Sequence, residues 1–399
     1  MSYVCNVSSI IGRSKDLFFK DIQRYESRLS TLISASSFLI VGGAGSIGQA
    51  VTKEIFKRKP KKLHVVDISE NNLVELVRDI RSSLGYIKGD FQVLPLDCGS
   101  QECRAFLHSQ KTYDFILNLS ALKHVRSEKD PYTLMRMIRV NILNAEGLLK
   151  YAMQSGCSKY FAVSTDKAVN PVNAMGATKS VAEMCLMRAS QHIRVSTTRF
   201  ANVAFSDGSL LHGFTQRIQK KQPFSAPEDV KRYFITPKES GELCLICTLL
   251  GENRELFFPK VGDELKLIDL PTIAERYLQS LGYEPYLCET EDEARGLVGE
   301  LLPKKLWPCY FFKSDTTGEK PFEEFYSKRE IVDLDRFATI GVIANPMLRD
   351  TSELDVFLNK MCVLQQSKYL YKDDIIDSLR ALLPNFNHKE THKYLDSRM

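Results

Sequence analysis

The sequence predicts an α/β fold, a doubly wound parallel sheet followed by a smaller C-terminal lobe, and three observations carry that prediction. Short apolar runs alternate with helical stretches from Phe38 to Phe200. A glycine-rich turn follows the first run directly, and an acidic residue closes the second. Gaps of roughly 15–35 residues between the runs leave room for the crossover helices that parallel neighbours require. At 399 residues, with 44% hydrophobic and 26% charged content, the chain can bury a substantial core.

The elements follow in order. Phe18, Ile22, Tyr25, Leu29 and Leu32 fall at alternating steps of four and three, one apolar stripe on a helix over 16–33. The strand runs then read FLIVGG, KLHVVD, FQVLPLD, DFILNLSA, KYFAVSTD and RVSTTRF. Past Asn202 the alternation gives way to segments punctuated by Pro and Gly, as expected of a lobe lying over the carboxyl edge of the sheet. The stretch 284–317 reads as irregular, with an acidic patch 289-ETEDE-293. Two helices close the chain, 352-SELDVFLNKM-361 and a second from Asp373 to Leu383, stopped by Pro384. The expected division is an N-terminal helical arm (1–35), a dinucleotide-binding domain (36–258) and a substrate lobe with C-terminal helices (259–399). Residues 203–235 are expected to reach into the second lobe.

Composition narrows the function. The net charge of +5 is interspersed rather than blocked, too weak a bias for a nucleic-acid partner. The longest apolar runs, such as 243-LCLICTLLG-251, fall short of the ~20 residues that span a bilayer, so no membrane insertion is expected. No charged-then-apolar leader opens the chain, and ten scattered cysteines suit a reducing, cytoplasmic location. Cys244-x-x-Cys247 has no second pair and lies in an apolar helical pattern, so we expect no metal there.

The first chemistry-bearing motif is 42-GGAGSIG-48, between 38-FLIV-41 and a helix QAVTKEIFKR. Gly42, Gly45 and Gly48 permit a tight turn and close backbone approach, and the amides of Ser46, Ile47 and Gly48 at the helix start suit a pyrophosphate. This is a Rossmann-type turn. Asp67, closing the second strand 25 positions after Gly42, would accept from ribose hydroxyls and repel a 2′-phosphate. NAD is therefore expected, with NADP the weaker candidate. Asp97 follows the third strand on the adenine side; Ser120 and Ala121 follow the fourth.

The combination of GGAGSIG, 118-NLSALKHV-125, Asn141, 164-STDKAVNPVNAMGATKS-180, 199-RFANV-203 and 318-GEKPFEE-324 resembles the extended short-chain dehydrogenase/reductases. Within them it is similar to the UDP-N-acetylglucosamine 4,6-dehydratases of surface-glycan biosynthesis, over most of residues 8–385. The front, 9-SIIGR-13, resembles the segment preceding the catalytic domain in large membrane-bound members, and the chain resembles a soluble version of these. It departs from the pattern at Val41, Ala201 and 284–317.

The resemblance implies a reaction in which NAD takes a hydride from carbon 4 of the sugar, water is eliminated across carbons 5 and 6, and the hydride returns to carbon 6. It implies roles as well. Thr165 would hydrogen-bond the 4-oxygen, Asp166 protonate the leaving 6-hydroxyl, and Lys167 take the carbon 5 proton. Burial and the positive charge of Lys179 and NAD would favour a neutral Lys167. Met175 stands where related enzymes carry tyrosine, and Lys179, one helical turn on, would reach the nicotinamide ribose. The 4-hydroxyl proton would then pass to Asp166, Lys179 or a water held by Thr165. The methionine form resembles enzymes that retain configuration at carbon 5.

For the UDP-N-acetylglucosamine or related UDP-hexosamine substrate, Asn202 and Arg232 match residues aimed at the diphosphate. Lys320 and Glu324 are expected near the uridine end, and Lys123, which follows the fourth strand at the cofactor side, is expected to meet the substrate. Asn141 is expected to be structural. Helices over 132–153 and 176–191 are the usual dimer faces of the superfamily, so a homo-oligomer is expected, although their apolar positions also suit a core. Two other functions fit less well, a UDP-hexosamine 4-epimerase and an idle NAD or nucleotide-sugar sensor.

Overall fold

The computed structural model describes residues 6–344 and 352–394. Its spine is a nine-stranded sheet: β1 (Ser37–Val41), β2 (Lys62–Asp67), β3 (Asp90–Pro95), β4 (Phe115–Asn118), β5 (Lys159–Thr165), β6 (Arg194–Phe200), β7 (Glu255–Pro259), β8 (Val332–Asp333) and β9 (Ile340–Ile343). The spatial order is β8-β9-β7-β6-β5-β4-β1-β2-β3. All pairs from β3 across to β7 are parallel, whereas β9 runs antiparallel to both β7 and β8. The six apolar runs are β1 to β6, as the sequence predicts. Phe38, Leu39, Ile40 and Val41 are all buried, because helices cover both faces of a parallel sheet. Strand order reverses between β1 and β4, which opens a crevice at their carboxyl ends.

The N-terminal helix α1 (Phe19–Ser34) buries Leu29 and Ile33 in the main core. Asp21, wholly buried, accepts from Ala338 N at 2.7 Å and from Thr339 N and Oγ1 at 2.8 Å each. Arg13 forms a two-pronged ion pair with Glu239 at 2.6 and 2.5 Å. Breaking a buried pair of this kind costs about 3–5 kcal/mol, because one charge is left uncompensated. These contacts tie the N-terminal segment into the main core.

The stretch 284–317 is ordered, which corrects the irregular reading. Strands Glu284–Leu287 and Leu306–Phe312 extend Phe224–Pro227 into a second, three-stranded parallel sheet, with helices Glu291–Gly296 and Val298–Leu301 between them. The acidic patch is the first turn of a helix, capped by Thr290 Oγ1 accepting from Glu293 N at 3.1 Å. Carboxylates suit that end of the helix dipole. Sequence pattern does not mark these strands, because Glu284–Leu287 is only four residues long and each strand carries a proline, Pro285 and Pro308.

The C-terminal helices α6 (Ser352–Gln365) and α7 (Lys372–Leu382) pack on α3 (Pro131–Ile138) and α4 (Ala174–Ala189). Ser46–Phe56 forms α2, and Pro237–Leu250 forms α5. Leu134, Ile138, Val181, Phe357, Met361 and Leu379 share one buried cluster. The apolar positions of α3 and α4 are thus covered by the chain's own C-terminal helices. Among the described residues no helix is long and apolar enough to cross a membrane, and no acidic, His or Cys cluster could hold a metal.

Candidate active site

The glycine turn between β1 and α2 is built for close approach. Gly42 has φ of +79°, and a Cβ there would lie 2.5 Å from Ser120 N. A Cβ on Gly48 would lie 2.1 Å from Gly42 O, so the helix start presses on the turn. Gly45 is different: its Cβ position has no neighbour nearer than 3.7 Å, so this side of the turn is open. As the N-cap of α2, Gly45 offers no side chain to the first-turn amides of Ser46, Ile47 and Gly48, which leaves them for an anion. Asp67 braces the turn, Oδ2 accepting from Ala44 N and Oδ1 from Ser69 N, both at 2.9 Å. Each oxygen keeps a further lone pair.

The neighbouring positions are also placed. Asp97 lies two residues past β3 and accepts from Gly99 N at 2.9 Å. Ser120 donates through Oγ to Asn118 Oδ1 at 2.7 Å, and Ala121 is exposed. Asn141 sits in a π-helical turn, Arg139–Leu143. Its side chain accepts from Leu122 N at 2.8 Å and donates to Leu122 O and Thr178 Oγ1 at 3.0 Å each. It locks the loop after β4 against α4, a structural role.

At the end of β5 the chain enters a short 3-10 turn, Asp166–Ala168. Thr165 Oγ1 donates to Asp166 Oδ1 at 2.8 Å, and Lys167 Nζ approaches the same oxygen at 3.3 Å. Asp166 is buried, and the other side of the Lys167 ammonium faces Glu323 Oε1 at 3.7 Å. The sequence already sets Asp166 beside Lys167; the structure adds Glu323 as a second carboxylate. Met175 is buried in the first turn of α4. The glycine after it is needed, since a Cβ on Gly176 would lie 2.3 Å from Lys167 O. Lys179, one turn on, is buried. Burial pushes its pKa down to about 8, against the pull of Glu183. It lines a cavity with Asn118, Ser120 and Ser164.

A distant segment completes the cluster. Arg232 is buried; it donates to Lys231 O at 2.8 Å and Pro321 O at 3.2 Å, and pairs with Glu319. Burial lowers its pKa, opposed by the Glu323 and Asp166 carboxylates. Lys320 donates to Val169 O at 2.9 Å and stands 3.7 Å from Glu323 Oε2. Asp166, Lys167, Arg232 and Lys320 are therefore brought together. Glu324 is exposed and Glu323 is the buried acid, since adjacent side chains of an irregular extended stretch face opposite ways. Asn202 bonds instead to Tyr233 O through N and Nδ2, at 3.0 and 3.4 Å. Lys123 reaches Ser206 Oγ at 3.4 Å.

The tail of the chain straps these segments together. Asn387 N donates to Pro171 O and Lys389 N to Val172 O, each at 3.0 Å. From the other side, Gly318 N donates to Lys389 O at 3.0 Å and Thr317 N to Lys393 O at 2.9 Å. Glu128, wholly buried, accepts from Ala174 N at 2.5 Å and lies 3.4 Å from His388 Nε2. At Glu390 burial works to raise the pKa, but bonds from Lys372, His392 N and Thr317 hold it down at about 2. These bonds run largely through the backbone, so the sequence carries no signal of them.

Comparison with known proteins places the chain in a family. A family model described as "Polysaccharide biosynthesis protein" matches residues 38–343. An uncharacterized membrane protein of Methanocaldococcus jannaschii is 28% identical over 363 residues, covering 89% of this chain and 98% of that protein. EpsC of Bacillus subtilis, a probable polysaccharide biosynthesis protein, is 27% identical over 76% of this chain, which spans only 47% of that protein's length. A UDP-N-acetylglucosamine 4,6-dehydratase (inverting) of Campylobacter jejuni is 28% identical over 74% of this chain and 83% of its own length. A UDP-glucose 4-epimerase of Rickettsia bellii is 28% identical over 56% of this chain and 66% of its own. Among solved structures, Pen from Bacillus thuringiensis aligns with a TM-score of 0.65 at 20% identity, covering 88% of this chain and 98% of that one, a likeness of fold.

Proposed function

The chain belongs to the polysaccharide biosynthesis protein family, and from that premise we propose that it is an NAD-dependent UDP-N-acetylglucosamine 4,6-dehydratase. The product would be a UDP-4-keto-6-deoxy-N-acetylhexosamine. The observation that carries this reading is the Asp166–Lys167 pair, 3.3 Å apart, beyond the end of β5, with Asp166 buried. Elimination across carbons 5 and 6 needs an acid and a base at one place; epimerisation at carbon 4 needs no such couple.

The cradle fits a dinucleotide. The open side at Gly45, the uncapped amides of Ser46 to Gly48 and the buried Lys179 ammonium offer donors for phosphate and ribose oxygens. Asp67 disfavours a 2′-phosphate, hence NAD over NADP. The bound dinucleotide would supply a hydride exchange, from carbon 4 and later to carbon 6, which makes the carbon 5 proton acidic in between. The chain's own residues do the rest.

One proton moved across the Lys167–Asp166 contact turns the ion pair into a neutral amine and a carboxylic acid. Lys167 then takes the carbon 5 proton, Asp166 protonates the leaving 6-hydroxyl, and the ion pair is restored as water departs. Thr165 holds Asp166 in place through its 2.8 Å bond. Met175 has no proton to exchange, so the 4-hydroxyl proton falls to Lys179, whose pKa of about 8 supplies some neutral amine near neutrality. Arg232, with Asn202, serves the diphosphate, and Lys123 and Lys320 flank the sugar.

The epimerase reading stays open as the second one, because of the Rickettsia relative. The mass of the product separates them. Incubation with UDP-N-acetylglucosamine and NAD should yield a sugar nucleotide lighter by one water. A new isomer of unchanged mass would make the protein an epimerase, and intact substrate would remove both readings.

A further inference from the structure

The site holds one acid that neither the motif reading nor the mechanism above employs. Glu323 is buried, and it comes from the segment after the second sheet rather than from the catalytic strip. Phe325, two residues on, anchors the segment in the main core against Tyr233 and Phe258. Gly318, at φ +69°, lies against Asn173, and a Cβ there would be 2.5 Å from that residue's Cβ. Asn173 in turn donates to Gly318 O at 2.9 Å and caps α4. The carboxylate is therefore fixed from both ends of its segment. Its Oε1 faces the Lys167 ammonium at 3.7 Å and its Oε2 faces Lys320 at 3.7 Å. Oε2 is buried yet accepts no hydrogen bond. A buried acceptor left unmade is costly, so it points to a donor that arrives with a ligand.

We infer that Glu323 is a positioning residue, holding Lys167 beside Asp166 and offering its second oxygen to a hydroxyl or amide of the sugar nucleotide. This rests on the dehydratase reading for the identity of that ligand. A lysine side chain has many rotamers; carboxylates on two sides select one of them. As Lys167 takes the carbon 5 proton, positive charge grows between Asp166 and Glu323, which stabilises it. The charges around the group are Asp166 and Glu323 against the ammonium, with Lys320 and Arg232 behind Glu323.

The test uses the full-length chain and reads Lys167 directly. Pulse acetylation with acetic anhydride between about pH 7 and pH 10, followed by mass spectrometry, reports the neutral fraction of Lys167. In E323Q, Lys167 should label about five- to tenfold faster near pH 8 than in the wild type, because an anionic neighbour is gone. With UDP-N-acetylglucosamine, E323Q should lose about ten- to a hundredfold in kcat, and substrate should bind about fivefold more weakly. The NAD Kd should stay within about twofold, which a loss of fold would not allow. E323D, which keeps the charge and shortens the reach, should label as the wild type does and recover part of kcat. Identical Lys167 labelling in wild type and E323Q, or an unchanged kcat in E323Q or E323D, would overturn the inference. Should the wild type release no water, the dehydratase reading fails while the labelling comparison still decides the role of Glu323.

Discussion

The glycine cradle and the charged cluster meet at the same edge of the sheet but are assembled from different lengths of chain. The cradle comes from one strand–turn–helix, residues 38–56, with Asp67 and Ser120 supplied by the two strands flanking β1. Its binding groups are mostly backbone amides, whose directions follow from helix geometry. The cluster draws Asp166 and Lys167 from the end of β5, Arg232 from a two-residue strand, and Lys320 and Glu323 from beyond the second sheet. Its groups are charged side chains, oriented by one another and by bonds to backbone oxygens of separate segments. A backbone site forms as soon as its own unit folds, whereas the side-chain site exists only after distant segments dock.

The contrast can be broken by experiment. Asp166→Asn should have the largest effect, about a thousandfold or greater fall in kcat with NAD binding preserved. A parallel loss of NAD affinity, measured by calorimetry, would show that the two regions do not act separately. Gly48→Ala tests the reverse. With a Cβ 2.1 Å from Gly42 O, it should weaken NAD binding at least tenfold and cost about 1–3 kcal/mol of stability. Full NAD affinity in that variant would mean that the cradle adjusts more freely than its geometry implies.

The strap sharpens the comparison at smaller amplitude. His388→Ala removes a partner of the buried Glu128 and should lower stability by about 1–3 kcal/mol, read as a fall in Tm. Its kcat should fall further than its NAD affinity, because α4 and the catalytic strip lie under the strap. The smallest effect is one of pH. Glu390 is held at about 2 in the folded chain, below its ordinary value of 4.5, so its contribution is complete above that value. It is lost as pH falls through about 2. Amide exchange in the tail should therefore rise in acid before exchange in β1 or β4 does, and uniform exchange would argue against a separate tail clamp.

Legibility followed the same division. The six strands and the glycine turn were readable because apolar runs and turn residues act over a few positions. The C-terminal helices were readable too, but not what they cover, since an apolar stripe does not name its partner. The choice between Glu323 and Glu324 was beyond sequence reasoning, because a one-residue change of phase in an irregular segment exchanges the inward and outward side chains. The parallel strands within 284–317 were hidden by their prolines, Pro285 and Pro308, and the strap by its reliance on backbone bonds.

The sequence by itself determined the parallel sheet, the glycine turn and the adjacent Asp166 and Lys167 at the end of β5. Each depends on residues close together in the chain, where periodicity, turn chemistry and helix ends leave few alternatives. Only the tertiary structure decided that Lys167 has a second carboxylate beside it, that Glu323 is the inward acid, and that the tail bonds both to 171–172 and to 317–318. Those outcomes depend on contacts between segments distant in the chain, and no local rule specifies which of many compatible surfaces will meet.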